Sequence, residues 1–130
     1  MRLRGEQFVL AVDLGTGGPK VGLVSLTGRI AWQDHLLVAT RHLPGGGAVQ
    51  DAAEWWRLIA DATRRALASG VVPAAAIVAV SCTAQWASTV PVDADEAAGG
   101  QCLMWQDTRG GRHTRRALGG PVAGYRPLAC

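Results

Sequence analysis

Residues 8–20 read Phe-Val-Leu-Ala-Val-Asp-Leu-Gly-Thr-Gly-Gly-Pro-Lys and concentrate the chain's clearest chemistry. An apolar run, Phe8 to Val12, ends in one carboxylate, Asp13, and a glycine-rich turn with a hydroxyl (Thr16) and a cation (Lys20) follows at once. A short apolar run bounded by turn signals predicts a strand buried on both faces. A carboxylate at the end of such a strand sits at the edge of the core, where it can hold Mg²⁺ or water. Gly15, Gly17 and Gly18 allow backbone N–H groups to approach an anion closely, and such concavities bind phosphate. The same pattern also describes a strand and a tight hairpin with a solvated Asp. Walker A is excluded, because Lys20 comes too early and no Ser or Thr follows it. The dinucleotide pattern G-x-G-x-x-G fails as well, since Lys20 occupies the place of the third glycine.

The elements that must position these groups follow from periodicity. Val21 to Leu26 is a second apolar run, Thr27-Gly28 a hairpin turn, and Arg29 to Ala39 a third strand, so the chain opens as an antiparallel meander. In the third strand Ile30 and Trp32 are expected on one face and Gln33 and His35 on the other. Residues 43–50 read as a loop. Asp51 to Ser69 is the clearest helix: Asp51 caps it, Glu54 completes a capping box, and Gly70 ends it. Trp55, Ile59, Ala62 and Ala66 form its apolar stripe, widened by Trp56, Thr63 and Leu67, and the Trp-Trp pair reads as core. Ala76–Cys82 is a fourth strand, Ala87–Val92 a fifth, Gln101–Trp105 a short sixth and Thr108–Leu118 a helix. The chain thus divides into a unit over 1–118 and a Gly/Pro-rich tail over 119–130. Three antiparallel strands, a helix, then a strand parallel to the first describe α/β layering with a mixed sheet. That order is similar to the opening of the ribonuclease H-like and actin-like ATPase folds, in which an acidic residue at the end of the first strand holds metal.

The whole chain sets bounds. At 130 residues it has room for one domain and one core. Its 48% apolar content and mean hydropathy of +0.13 argue for a globular chain. The net charge of +3 is carried almost wholly by arginine, Lys20 being the only lysine. Basic residues gather toward the C-terminal part, but no aromatic interleaving or recognition helix accompanies them, so no nucleic-acid partner is expected. Three cysteines, Cys82, Cys102 and Cys130, are widely spaced without a C-x-x-C pattern and give neither a disulfide framework nor a zinc site. The N-terminus lacks a signal-peptide pattern and no apolar stretch reaches the roughly 20 residues of a membrane span, so a cytoplasmic location is expected.

Four local patterns then line up in order. Asp13-Leu-Gly-Thr-Gly-Gly-Pro-Lys20 resembles the first phosphate loop of the FGGY carbohydrate kinases. Val49-Gln-Asp51 followed by Trp55-Trp56 is similar to their "EQDP…WW" segment. Val80-Ser-Cys-Thr-Ala-Gln-Trp86 resembles the strand and loop carrying "GQMHG" in xylulokinases or "TNQRE" in glycerol kinases, and Trp105-Gln-Asp-Thr-Arg109 their "W-x-D-x-R". The resemblance runs from about Phe8 to about Leu118. It covers the first, incomplete actin-like domain of an enzyme several times longer, and the catalytic Asp and most of the adenine pocket of such kinases lie outside it.

The resemblance implies ATP and Mg²⁺ as cofactors and a sugar or polyol as acceptor, a xylulose-like ketose being favoured. It implies no catalytic residue in this chain, which by itself would be inactive and would need the missing C-terminal domain as its partner. Asp13 would help position Mg²⁺ and the ATP phosphates. Gly15, Thr16, Gly17 and Lys20 would contact phosphate oxygens. Gln85, Trp86 and Ala87 would fall at the loop touching the sugar, Trp105 would wall that pocket, and Asp107 and Arg109 would orient it. Read by residue type alone, Trp105 is more often a core residue and Asp107–Arg109 often a structural ion pair. The chain departs from the family at three places. Gly17 and Gly18 replace Ser or Thr, Pro19 removes an N–H near the loop, and Trp86-Ala87 replaces Met-His or Arg-Glu. Two other classes compete: a ribonuclease H-like nuclease using Asp13 with further acids such as Glu54, Asp93 and Asp107, and a non-enzymatic actin-like module that binds nucleotide or a partner, whose mark would be exposed apolar surface.

Overall fold

The structure is a computed structural model and describes residues 5–95 and 101–120. Its first three strands, β1 (Phe8–Gly15), β2 (Gly18–Ser25) and β3 (Ile30–His35), form the expected antiparallel meander. Helix α1 (Ala52–Ala68) and a 3₁₀ turn at Ala74–Ala76 lead to β6 (Ile77–Ala84), which pairs parallel to β1 and gives the sheet order β3-β2-β1-β6. A second sheet, order β4-β5-β7, consists of β4 (Arg41–Leu43), β5 (Gly47–Gln50) and β7 (Cys102–Leu103). A short α2 (Gly111–Ala117) follows. The expected tail over 119–130 falls, from residue 121 on, outside the described residues.

Helix α1 forms where the sequence places it, with Asp51 as N-cap accepting from the Ala53 N–H at 2.9 Å. It ends at Gly70, whose φ of +67° suits a residue without Cβ. Ala62 and Ala66 are fully buried and bring the helix close to Phe8, Val12, Val21 and Leu23 on one face of the sheet. An Asp34–Arg65 ion pair of 2.6 Å ties β3 to the same helix. A second cluster, Val38, Ala48, Trp55, Cys102 and Met104, joins the start of α1 to the small sheet.

Six expectations need correction. Residues 43–50 are not a loop: β4 and β5 pair around Gly45 and Gly46, whose φ of +77° and +86° make the tight turn. Ala87–Val92 is not a continuous strand: only Thr89, paired with Leu103, and Val92 form isolated bridges, because Ala87 turns at φ +59° and Pro91 has no N–H for a ladder. The strand expected at Gln101–Trp105 is shorter, Cys102–Leu103, and pairs with β5 in the second sheet. A bulge opposite Leu23/Val24 turns Ile30 to the face carrying Val24 and Gln33, away from Trp32. Of the helix's Trp pair only Trp55 is core; Trp56 is 71% exposed, since adjacent helical residues point about 100° apart. Helix α2 also starts later than Thr108, whose N–H and hydroxyl both donate to Gly46 O.

Candidate functional site

The phosphate-loop residues sit on a two-residue hairpin. Gly15 pairs with Gly18, Thr16-Gly17 form the turn, and Leu14 lies opposite Pro19. Gly18 is obligatory here: its φ is +121°, and a Cβ would lie 2.0 Å from Leu36 O and 2.9 Å from Val38 N. Packing of the 36–38 segment against the hairpin, with Val38 N–H donating to Gly17 O and Leu36 N–H to Pro19 O, accounts for glycine where the family has a hydroxyl residue. Asp13 and Lys20 face each other across β1 and β2 and form a half-exposed ion pair of 3.1 Å.

A cleft of ≈ 380 Å³ opens at the ends of β1 and β6. Its lining holds Asp13, Gly15, Thr16, Gln85, Trp86, Ala87 and Trp105 together with Ala84, so seven of the eleven residues singled out from sequence converge there. Gln85 N–H donates to Leu14 O at 2.8 Å, which continues the β6–β1 pairing by one residue and fixes the loop. The Thr16 hydroxyl accepts from Trp105 Nε1 at 3.0 Å and donates to Gln85 Oε1 at 3.3 Å. Trp105 is therefore not core; it stands 54% exposed at the cleft. Gln85 Nε2 is a buried donor without a partner among the described residues.

The other four lie elsewhere. Gly17 forms the exposed tip of the hairpin, and Lys20 lines a separate groove on the uncovered face of the main sheet, floored by Gly22 and shared with Asp13, Gln33, His35, Ser81 and Thr83. Asp107 and Arg109 stand outside the cleft lining and hold the β4–β5 turn. Asp107 Oδ2 accepts from Ala48 N–H at 3.1 Å, and the carboxylate takes Arg109 Nε and Nη2, the latter at 2.6 Å. The Arg109 guanidinium holds the Asp107 carboxyl far below the usual carboxylate range, and Asp107 pushes the Arg109 pKa up in turn. The segment Met104–Asp107 links them to the cleft: Met104 N–H donates to Ala48 O and Trp105 N–H donates to Ser88 Oγ.

Gln50 has a role that residue type and spacing did not reveal. Its side chain is 2% exposed and its amide is fully used. Nε2 donates to Thr16 O and to Thr40 Oγ1, both at 2.8 Å, while Oε1 accepts from Trp55 Nε1 at 2.9 Å. One amide thus locks the hairpin turn to the first turn of α1. The signal in the sequence was the Val49-Gln-Asp51…Trp55-Trp56 pattern, which places Gln50 before the N-cap but does not show what its amide binds.

As for a metal, no group of three His, Cys, Asp or Glu side chains converges among the described residues. A single half-exposed carboxylate still suits Mg²⁺, which keeps several waters and is commonly held by one or two carboxylates plus substrate phosphates.

The comparisons agree with this geometry. Residues 8–116 match the model of the FGGY family of carbohydrate kinases, N-terminal domain. The chain is 36% identical over 114 residues to a glycerol kinase of Dechloromonas aromatica (strain RCB), covering 84% of this chain and 22% of that enzyme. It superposes on a xyloylose kinase from Brucella ovis with a TM-score of 0.77 at 25% identity, covering 86% of this chain and 23% of the other. A Plasmodium falciparum glycerol kinase solved with ADP gives a TM-score of 0.72 at 16% identity, over 93% of this chain and 24% of its own. The chain belongs to the FGGY family of carbohydrate kinases and has the fold of its N-terminal actin-like domain. It spans less than a quarter of the length of these relatives.

Proposed function

We propose that this chain is the acceptor- and phosphate-binding part of an ATP-dependent carbohydrate kinase that phosphorylates a sugar or polyol hydroxyl, with a xylulose-like ketose favoured over glycerol. In this reading residues 1–118 form the unit, the protein is cytoplasmic, and the catalytic base and most of the nucleotide pocket belong to a C-terminal domain outside this chain. The observation that carries it is the position of Asp13, which lines both the groove beside Lys20 and the cleft that holds Gln85 and Trp105. A carboxylate shared by two concavities would suit a position between a phosphate donor and an acceptor hydroxyl.

Asp13 would hold Mg²⁺, which when bound neutralises phosphate charge. Lys20 would add a point charge for phosphate oxygens, and Gly15, Thr16 and Gly17 offer turn backbone beside it. Gln85, Trp86 and Ala87 would touch the acceptor, Trp105 would wall its pocket, and Asp107–Arg109 would keep that wall in register. Phosphoryl transfer rests on positioning and charge neutralisation, so this half supplies alignment and the absent base supplies deprotonation. The exposed β6 also supports a reading as a nucleotide- or partner-binding module when the chain stands alone.

Titration of the chain with ATP in the presence and absence of Mg²⁺, followed by amide NMR, tests the proposal. Shifts at Thr16–Lys20 that need Mg²⁺ and vanish in Asp13→Asn are expected, with no ADP formed. Magnesium-independent shifts, or none at the hairpin, would sink it.

A further inference from the structure

A threonine hydroxyl has one proton to donate, and that of Thr16 is already in use. The hydroxyl accepts from Trp105 Nε1 at 3.0 Å and donates to Gln85 Oε1 at 3.3 Å. An ionised phosphate oxygen only accepts, so a phosphate at the hairpin competes with Gln85 for this single proton. The backbone around it is held. Gln50 Nε2 donates to Thr16 O and Gln85 N–H donates to Leu14 O, both at 2.8 Å. The Thr16 hydroxyl and the Gln85 side-chain amide are left as the parts that can turn in place.

That amide is out of balance at its other end. Gln85 Nε2 is buried and has no partner among the described residues. An unpaired buried N–H is costly, and an unpaired carbonyl is the more commonly tolerated of the two. Turning the amide end for end exchanges two groups of nearly equal size. Nε2 then stands where Oε1 stood and donates to the second lone pair of Thr16, so the buried donor gains a partner. The hydroxyl then accepts twice, from Trp105 and Gln85, and its proton is released. With the hairpin empty, this reversal leaves the Thr16 proton without a protein acceptor. A phosphate oxygen supplies one.

We propose that Gln85 is a positioning residue for the phosphate hairpin: its amide holds the Thr16 proton in the empty chain and, by reversing, yields it to an oxygen of a nucleotide phosphate. The inference rests on the nucleotide reading given above. It assigns the buried amide to the donor side, while residues 85–87 still line the cleft.

The test is titration of the chain and its variants with ATP and Mg²⁺, followed by amide and side-chain NMR. Gln85→Met removes the competing acceptor at similar volume, so binding at Thr16–Lys20 is expected to tighten about fivefold. Gln85→Glu, ionised, can only accept and cannot reverse, so it is expected to weaken binding at least about fivefold. A packing role would make both substitutions weaken it. Thr16→Val removes the proton at constant shape. In that background Gln85→Met should change nothing, and whatever Gln85→Glu still costs is its direct charge on the phosphate. In the unsubstituted chain the Gln85 side-chain N–H resonances should move downfield on saturation with MgATP, and Thr16→Ser should keep that shift while Thr16→Val loses it. Unchanged α1 amide resonances check that each variant is folded. MgATP binding that Gln85→Met weakens or leaves unchanged overturns the inference and leaves the nucleotide reading intact. Absence of binding in the unsubstituted chain and in every variant overturns both.

Discussion

Strands β1 and β6 lie side by side, run parallel and are each eight residues long, but among the described residues β1 has a partner on both edges and β6 on one. β1 reads FVLAVDLG and is buried or half-buried throughout, while β6 reads IVAVSCTA and is exposed from Val78 to its end. Helix α1 accounts for the difference. It packs across β2 and β3 and reaches Val12 of β1 through Ala62, while Val80, on the same sheet face, stays 65% exposed. Apolar character therefore does not report burial here; the position of one helix does. Among the described residues β6 combines the composition of a core strand with the exposure of a surface strand, most plainly at Val78 and Val80.

This contrast is open to direct attack. The largest effect is expected at Leu23, which is fully buried under α1: Leu23→Ala should lower unfolding free energy by about 3 kcal/mol in denaturant titration. Val80→Ala, the matching truncation on β6, should change it by less than about 0.5 kcal/mol. Equal losses at the two positions would show that β6 is covered in solution and erase the distinction.

A middle effect is expected at Gln50, where the covered side meets the cleft. Gln50→Ala strands the Trp55 indole N–H and Thr16 O and should cost about 2 kcal/mol. Its diagnostic is faster exchange of the Trp55 Nε1–H with the rest of α1 still protected. If the whole helix loses protection together, Gln50 is a general stability residue and not a lock on the hairpin.

The smallest effect concerns pH. Because Arg109 depresses the Asp107 pKa, the native carboxylate should remain ionised at pH 3 in carboxyl ¹³C NMR. The stability it contributes is complete above the ordinary carboxylate pKa and declines as pH falls from there through the lowered native value. Asp107→Asn should abolish that dependence and speed exchange of the Ala48 N–H at every pH. An Asp107 that titrates near pH 4 would mean the ion pair does not hold the β4–β5 turn.

Sequence and structure meet unevenly across these regions. The meander, α1 with its Asp51 cap and Gly70 stop, and the parallel β6 were all legible, because each depends on short-range periodicity and capping chemistry. Seven of the eleven candidate residues also converge on one cleft, since strand ends and the turns that follow them are marked locally by glycine and polar residues. What could not be read depended on contacts between distant segments. Residues 43–50 form a hairpin because β7, some fifty residues on, pairs with β5. Ile30 changes face because of one bulge. Gln50 acquires its function only when Thr16, Thr40 and Trp55 surround it, and Asp107–Arg109 prove to brace a turn because Ala48 lies beneath them.

By itself the sequence determined the opening meander, helix α1 and the parallel β6, the carboxylate at the end of β1 and the aromatic loop after β6, since local backbone preferences and alternation of apolar residues suffice for these. The tertiary structure alone decided which apolar strand is buried, which tryptophan is core and which faces the cleft, and which polar side chains are bound to one another. Burial and hydrogen bonding are properties of neighbours in space, and residues such as Thr16 and Trp105 become neighbours only when the chain closes on itself.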